Sequence, residues 1–531
     1  MATKKTKKER GKIDATGRWV IFATVSASSM AFIMQSALGP AQPAFQQNLG
    51  ASGADLLWIF NAYNLLVSAF LLLGGSLGDH YGRKRIYAIG IIVFALACAA
   101  CGFAPNVELL IAFRALQGLG GALMIPGSLA LISSYFDDNT RGMAIGTWSS
   151  FTTGASLLAP ALGGVLVDLG YWRLIFFLCL PLAAAALFAL YRYVPESMDE
   201  DAPRGLDISG TILIALSLAG MVYGATEIGR TQEFSNPLYL GAVLGGLVGL
   251  GLFFWVEMRS EHPLVPPKLF KSRTFTGVNL LTLFLYGALA GALQFFPLNL
   301  IQIQGYSATI AGIAVIPMTI LLMVMSPWAG SLVDNYGPRI PLIVGPLITG
   351  AGFAALAIPG VTSGVTAYFW TFLPGLLLMG FGMGITVAPL TTAALGSVPQ
   401  HNSGVASGVN NLMSRASGVL AIAILGGVML VSFTNALTIR VNDLPIAEDN
   451  QAVMIDDAGN LAETAIPESL SDNDMEAAEM AVRQAFVVSF RVVMLIGAVM
   501  AWIGAAIAWY FVEEELAPPP ELMKREQPQA S

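Results

Sequence analysis

The chain has 531 residues, of which 55% are hydrophobic and 11% are charged, and its mean hydropathy is +0.67. Soluble domains carry roughly a quarter charged residues, so this composition excludes an ordinary soluble protein and predicts a chain made for lipid. The net charge of −7 identifies no cationic partner, because eleven acids fall in one segment between Asp443 and Glu479.

The chain begins with a basic tail over residues 1–18. The apolar run that starts at Trp19 is longer than the roughly 7–15 residue core of a secretory signal, and many apolar runs follow it. We therefore predict that this run is retained as the first membrane helix and that the basic tail is cytoplasmic.

Apolar runs recur along the whole chain. A helix needs about twenty apolar residues to cross a bilayer, and by that measure the sequence predicts about fourteen spans. They lie near residues 19–39, 54–76, 85–104, 107–133, 141–167, 171–193, 206–225, 236–257, 274–300, 307–333, 340–358, 366–396, 404–433 and 486–512. With the N-terminus inside, most lysine and arginine residues fall in cytoplasmic loops, and the even count predicts that both termini are cytoplasmic.

Two short motifs occur twice in the same order. Residues 75–85 (GSLGDHYGRKR) are repeated as residues 330–339 (GSLVDNYGPR), and residues 141–146 (RGMAIG) resemble residues 403–408 (SGVASG). Because order and offset agree, the sequence indicates an internal duplication. Duplicated halves in a membrane protein are typical of transporters, whose two bundles rock around a shared central site.

The duplicated motifs define the predicted organisation: an all-α integral membrane protein of two pseudo-symmetric six-helix bundles with two inserted central helices. Its parts are a basic tail 1–18, an N-terminal bundle 19–193, a linker with two extra helices 194–273, a C-terminal bundle 274–512 and a cytoplasmic tail 513–531. The C-terminal bundle includes an external acidic loop, 434–485. We interpret this loop as solvated and partly mobile, with a substrate-gathering lip as the alternative.

These motifs resemble those of the major facilitator superfamily. Residues 75–85 resemble its loop motif, residues 110–122 (LIAFRALQGLGGA) its fourth-helix motif, and residues 154–164 (GASLLAPALGG) its fifth-helix motif associated with antiporters. With fourteen spans and an inserted pair, the chain resembles the drug:proton antiporter branch. The resemblance implies a multidrug efflux transporter of the cell (inner or plasma) membrane that exports amphipathic or hydrophobic molecules by alternating access, driven by proton antiport.

The loop motifs contain charged residues with two possible roles. They pin each hairpin to the cytoplasmic side, and the resemblance implies a latch that holds the bundles together in the outward-facing state. The latch residues are Asp79, Arg83, Asp334 and Arg339.

Pro160, Gly163 and Gly164 weaken one helix and give it a smooth packing face. The alternatives are ordinary small-residue packing and, as the resemblance implies, a hinge that favours export.

Arg114 lies within a predicted span, where an arginine costs at least about 2.5–3.5 kcal/mol and therefore needs polar company or water. One interpretation is that it locks helix packing; the other is that it lines a cavity and takes part in coupling. Gln117 lies one turn further on the same helix face. Arg415 raises the same question in the second half, where we favour packing.

The superfamily's geometry implies a cavity lined by the first and fourth helices of each bundle. The polar and aromatic candidates on those helices are Gln35, Gln42, Arg114, Gln117, Gln294, Phe295, Phe296 and Asn299. Amides, aromatic rings and Met34 suit a large amphipathic ligand that is neutral or anionic.

Proton coupling needs a titratable group that alternates between the two sides. The family pattern has an aspartate in the first helix, but Met34 stands at that position here. Besides Arg114, Glu108 is the remaining coupling candidate, with an ordinary interfacial acid as the alternative. The alternative function is a facilitator, or a lipid or metabolite transporter of the same fold, that is not proton-coupled.

The sequence offers little for other chemistry. Its three cysteines, Cys98, Cys101 and Cys179, lie in apolar runs, and its three histidines, His80, His262 and His401, are far apart. We therefore expect no enzyme, metal or cofactor. The expected partners are an amphipathic substrate, protons and the lipid bilayer, with no nucleic acid and a monomeric chain.

Overall fold

A computed structural model describes residues 14–137, 140–198, 207–260, 263, 265–362, 364–399 and 403–516 of the chain. Residues 1–13 and 517–531, which make up most of the two predicted tails, lie outside that part.

The described residues contain fourteen helices that are long and apolar enough to cross a membrane, which confirms the predicted number. They are α1 (Ala15–Ser36), α2 (Gly53–Tyr81), α3 (Arg83–Phe103), α4 (Val107–Tyr135), α5 (Arg141–Asp168), α6 (Leu174–Tyr193), α7 (Ile208–Thr231), α8 (Pro237–Glu257), α9 (Arg273–Ile303), α10 (Ala308–Ala314 followed by Ile316–Tyr336), α11 (Arg339–Leu356), α12 (Leu373–Gly396), α13 (Ser403–Asn442) and α14 (Asp472–Phe511).

Polar residues at the ends of the apolar runs set where several helices begin. Asp14 caps α1 by accepting a hydrogen bond from the Gly17 N–H at 2.7 Å. Ser52 and Asp55 form a reciprocal capping box at the start of α2. Asn106 caps α4 by accepting a hydrogen bond from the Leu109 N–H at 3.0 Å. Each cap satisfies a backbone N–H that the first helical turn leaves without a partner.

The helices form the two predicted bundles, α1–α6 and α9–α14, with α7 and α8 between them in the chain. Within the N-terminal bundle α4 packs against α2 and α3, and within the C-terminal bundle α12 packs against α10 and α11. The inserted α8 packs on α7, and α7 contacts both α2 and α13. The inserted pair therefore lies beside the junction of the two bundles.

Because successive helices run in opposite directions, the bundle has two distinct ends. We call the end that carries the start of α1 and the end of α14 the terminal face, and the opposite end the acidic face. The acidic face includes residues 443–471, which we call the acidic segment.

The acidic segment is folded, which corrects the predicted solvated loop over 434–485. Helices α13 and α14 each have 40 residues, roughly 60 Å in length, so they extend well beyond the predicted spans. The segment between them contains the helix Glu448–Asp456 and the 3₁₀ turn Ala458–Glu463. It buries Met454, Ala458 and Leu461, and burial of apolar side chains is the physical reason that so acidic a stretch folds.

Candidate functional site

A cavity of about 230 Å³, which we call the central cavity, lies between the N-terminal bundle and α13. Its polar and aromatic lining residues come from α1, α2, α5 and α13, and they are Ser28, Phe32, Gln35, Tyr63, Trp148, Asn411 and Arg415. Ile125, Pro126 and Leu129 of α4 complete one wall. Of the predicted lining helices, α1 and α4 are therefore present. Among the described residues the C-terminal bundle contributes α13 rather than α9 and α12.

A second cavity of about 450 Å³ adjoins the first. The two share Gly75, Pro126 and Leu129 in their linings, and the second also reaches Asp79 and Arg83 at the terminal face. The cavities therefore lead from the middle of the bundle toward the terminal face.

Glycines of the fourth-helix motif bring α4 close to its neighbours. A Cβ atom at Gly118 would lie 2.5 Å from the carbonyl oxygen of Tyr63 on α2, and one at Gly120 would lie 2.5 Å from the backbone nitrogen of Phe94 on α3. Only glycine permits this approach. The motif thus fixes the position of α4, which contributes Pro126 to the cavity wall.

Arg114 is buried inside the N-terminal bundle, with 1% of its surface exposed. Its Nε donates to the carbonyl oxygen of Ile59 at 3.0 Å, and its Nη1 donates to Gln117. Gln117 in turn donates to the sulfur of Cys98 at 2.9 Å. The guanidinium also lies 4.5 Å from the ring centre of Tyr63. These contacts support the packing interpretation. Tyr63, whose ring the guanidinium contacts, is the residue that connects Arg114 to the cavity.

Arg415 is placed differently, because it lines the cavity itself. From the sequence alone, we favour a helix-packing role for this residue. The neighbouring Asn410, which accepts a hydrogen bond from Thr282 on α9 at 2.9 Å, makes the packing contact instead. No periodicity in the sequence distinguishes these two positions, since both lie in an apolar helix.

Gln42 and Gln294 meet each other on the acidic face. The Gln42 side-chain amide donates to the backbone oxygen of Gln294 at 3.0 Å, and the Gln294 amide donates to Oε1 of Gln42 at 3.3 Å. Gln42 follows α1 and Gln294 lies on α9, so the pair joins the two bundles. Neither residue is among those that line the central cavity, whereas Gln35 is.

Phe295, Phe296 and Asn299 are buried where α9 is interrupted. The first α-helical part ends at Leu293, a short α-helical piece covers Phe296–Leu298, and a π-helical turn runs over Asn299–Ile303. The Phe296 ring packs edge-on against Phe372, with ring centres 5.9 Å apart, and Asn299 accepts a hydrogen bond from Gln304 at 3.1 Å. The structure therefore places these three candidates in the packed C-terminal bundle.

The residues of the fifth-helix motif lie at a tight contact between α5 and α10. A Cβ atom at Gly164 would clash with the carbonyl oxygen of Ala308, and one at Gly312 would clash with the carbonyl oxygen of Pro160. Gly163 makes an equally close approach to Ala37 after α1. These small residues allow the bundles to touch through their backbones near the acidic face.

Asp168, at the end of α5, strengthens the same contact. Its carboxylate accepts hydrogen bonds from the backbone N–H groups of Ala308 and Thr309, both at 2.9 Å, at the start of α10. A carboxylate in this position is favoured by the unpaired N–H groups and the dipole of the helix.

The acidic segment also crosses between the bundles. Glu463 accepts hydrogen bonds from Gln47 at 3.2 Å and from Gln302 at 3.0 Å. Gln46 donates to the backbone oxygen of Asn460 at 2.9 Å. Because Gln46 and Gln47 follow α1 and Gln302 lies on α9, the segment holds both bundles together from outside.

At the terminal face, the N-terminal loop motif makes contacts within its own bundle. Arg83 pairs with Asp79 at 2.7 Å. Glu196, which follows α6, accepts from the backbone N–H groups of Lys84 at 2.8 Å and Arg85 at 3.2 Å. The Asp79–Arg83 ion pair lies within one bundle, so it is not the predicted latch contact between the bundles.

The second loop motif also contacts the end of its own bundle, but through the side chain of Arg339. Arg339 pairs with Glu514 after α14 at 3.1 Å and donates to the backbone oxygen of Trp509 at 2.8 Å. The side chain of Asp334 lies outside the described part of the chain. Glu196 and Glu514 were missed in the sequence, although each stands two residues after a valine that follows the last helix of its bundle.

Glu108 is exposed in the first turn of α4, on the acidic face. Its role in coupling stays a prediction. Among the described residues, no group of three or more histidines, cysteines or acids is arranged to hold a metal ion.

Comparisons with known proteins agree with this architecture. The model of the Major Facilitator Superfamily matches residues 24–422. The multidrug resistance protein Stp of Mycobacterium tuberculosis is 32% identical over 414 residues, which cover 77% of this chain and 75% of that protein. The tetracenomycin C resistance and export protein of Streptomyces glaucescens is 28% identical over 495 residues, covering 93% and 91%.

Solved structures show the same fold at lower identity. A bacterial homologue of the human lysosomal transporter Spinster, in an inward-facing and unoccupied conformation, aligns with a TM-score of 0.65 and 18% identity, covering 96% of this chain and 100% of that one. The xylose transporter XylE from E. coli aligns with a TM-score of 0.54 and 15% identity, covering 94% and 97%. The chain therefore belongs to the major facilitator superfamily, and it is a multi-pass membrane transporter rather than an enzyme.

Proposed function

We propose that this protein exports amphipathic or hydrophobic small molecules across the cell membrane by alternating access. One observation carries the proposal. Among the described residues, the hydrogen bonds between the bundles lie at the acidic face, whereas the cavities lead toward the terminal face. An arrangement closed at one end and hollow toward the other is one of the two states that alternating access requires. The names of the relatives, which are resistance and export proteins, support efflux of drug-like molecules.

The terminal face is cytoplasmic in this proposal. Arg83, Lys84 and Arg85 lie there, and cytoplasmic loops of membrane proteins carry an excess of lysine and arginine. The described conformation is then inward-facing, and the cavity is loaded from the cytoplasm, as export needs. The chain works as a monomer in the plasma or inner membrane.

The two ends of the bundle act as alternating gates. The outer gate consists of the α5–α10 contact, Asp168, the Gln42–Gln294 pair and Glu463. The glycines and Pro160 of the α5–α10 contact let the bundles separate without unpacking bulky side chains. At the inner gate, Asp79 exchanges its pairing within the loop for a contact across the bundles when the terminal face closes. Asp334 and Arg339 are the counterparts in the second half.

Proton antiport is the proposed energy source, because the fifth-helix motif is of the type found in antiporters. Glu108 and Arg114 are the coupling residues that the sequence offers. Two observations favour a second candidate, a facilitator that is not proton-coupled. Met34 is fully buried at the position of the family's carboxylate, and the described lining of the central cavity contains no acid.

Transport in proteoliposomes tests both candidates. A fluorescent amphiphile is followed with and without an imposed pH gradient. Movement against the amphiphile gradient that requires the pH gradient supports antiport, and Glu108→Gln then tests that residue. Movement strictly down the gradient, whatever the pH, supports the facilitator. No movement beyond that of protein-free vesicles contradicts the proposal as a whole.

A further inference from the structure

The central cavity contains an arginine whose charge is unpaired among the described residues. Arg415 of α13 lines the cavity together with Phe32, Tyr63 and Trp148. Within the described ranges it makes neither a hydrogen bond nor an ion pair. A cation inside a membrane protein is costly unless it is paired or hydrated, so an unpaired one in a cavity is a candidate for binding a charged partner.

Tyr63 provides a second, independent observation. Only 1% of its surface is exposed, yet within the described part of the chain its hydroxyl has no hydrogen-bond partner. The face of its ring is already occupied by the Arg114 guanidinium, 4.5 Å from the ring centre. Buried hydroxyl groups almost always find a partner, and this one belongs to a residue that lines the same cavity as Arg415.

The rest of the described lining does not offset the positive charge. Gln35 and Asn411 are neutral amides, and Phe32 and Trp148 are aromatic. Asp79, the acid in the adjoining cavity, is paired with Arg83 at 2.7 Å. A lipophilic cation would therefore meet like charge, which disfavours its binding.

We propose that the transported molecule is an amphipathic anion with a carboxylate, sulfonate or phosphate head group. The head pairs with Arg415 and accepts a hydrogen bond from the Tyr63 hydroxyl, while the apolar body packs against Phe32 and Trp148. A guanidinium matches such oxyanions in geometry as well as charge. This inference rests on the proposed function and specifies its substrate class.

Three pyrene amphiphiles of matched size test the charge preference: pyrenebutyrate, its methyl ester and pyrenylbutyl-trimethylammonium. Their affinities for the full-length protein in nanodiscs are measured by energy transfer from tryptophan. We expect the anion to bind at least about tenfold more tightly than the cation. Dodecyl phosphate and naphthaleneacetate, used as competitors, then distinguish a lipid-like anion from a drug-like one.

Variants assign the preference to the two residues. The readout is the ratio of anion to ester affinity, so a general loss of folded protein cancels. Arg415→Gln should reduce this ratio about tenfold, Arg415→Lys should retain most of it, and Tyr63→Phe should reduce it severalfold. The matched control is Arg483→Gln, which removes a positive charge that lies on α14 outside the cavity and pairs with Glu479 at 3.8 Å.

The possible failures are distinguishable. If the cation or the ester binds and is transported in proteoliposomes as well as the anion or better, the inference is overturned while the proposed function stands. An anion preference that survives Arg415→Gln also overturns it. If none of the three amphiphiles is bound or transported, the proposed function fails together with the inference.

Discussion

The carboxylate of Asp168 accepts a hydrogen bond from the backbone N–H of Thr309 at 2.9 Å, and this bond joins the two bundles at the acidic face. A second bond of the same length goes to Ala308, so the acid at the end of α5 caps the start of α10. Asp79 is at the opposite end of the bundle and pairs with Arg83 in its own loop. Asp168 thus connects the two bundles at the closed acidic face. Asp79 is held within one bundle at the terminal face, toward which the cavities lead.

Replacing Asp168 should therefore weaken the outer gate. Asp168→Asn removes the charge and one of the two acceptors, which costs about 1 kcal/mol at a helix N-terminus and shifts the conformational equilibrium roughly fivefold toward opening. The measurement is the rate at which an impermeant maleimide labels a cysteine at Ser36, in a background without native cysteines.

Asp55→Asn is the matched control, because Asp55 lies on the same face but caps only its own helix. It should lower stability by about 1 kcal/mol without changing the labelling rate. Equal acceleration by both substitutions would show that the cross-bundle bond has no special role.

The backbone contact between α5 and α10 gives a second prediction. Gly164→Ala places a methyl group against the Ala308 carbonyl oxygen, and overpacking of this kind costs about 1–3 kcal/mol. We expect a loss of transport that exceeds the loss of folded protein. The added methyl group keeps the acidic face from closing, so the inward-facing state cannot form. Gly154→Ala on the same helix is the control, since no described residue lies within 4 Å of the added carbon. A Gly164→Ala protein that transports normally would remove the contact from the gate.

Glu196 should stabilise the terminal face. Glu196→Gln weakens the hydrogen bonds to the backbone of Lys84 and Arg85 at the start of α3, and losing such a cap costs about 1 kcal/mol. Thermal unfolding of the purified protein measures the effect. Glu479→Gln, which alters an exposed pair with Arg483, should stay within about 0.5 kcal/mol of the native protein. Identical unfolding curves for the two variants would contradict the capping role.

The sequence was sufficient for the number of spans, the duplication and the family, because apolar runs and turn motifs are local signals. It was insufficient for the roles of individual polar residues. Arg114 and Arg415 occupy similar apolar surroundings in the sequence, yet one is locked inside a bundle and the other faces the cavity. Which neighbour a polar side chain meets depends on helix packing, which the apolar pattern does not encode.

The gate contacts were inaccessible for a related reason. Gln47 and Glu463 are 416 residues apart in the chain, and no local pattern relates them. The acidic segment looked solvated because it is rich in acids, whereas a few buried apolar residues, such as Met454 and Leu461, are enough to fold it. The duplication did contain one unused signal, the valine and glutamate that follow the sixth helix of each bundle.

Alternating access itself is tested most directly by distances between spin labels in nanodiscs. One pair replaces Tyr81 and Tyr336, which are exposed on the two bundles at the terminal face, and the other replaces Tyr171 and Ile358 at the acidic face. With a saturating amphiphile at acidic and at neutral pH, alternating access predicts opposite changes: the Tyr81–Tyr336 distance shortens as the Tyr171–Ile358 distance lengthens. Distances that stay fixed under every condition, or that change in the same sense, would contradict it.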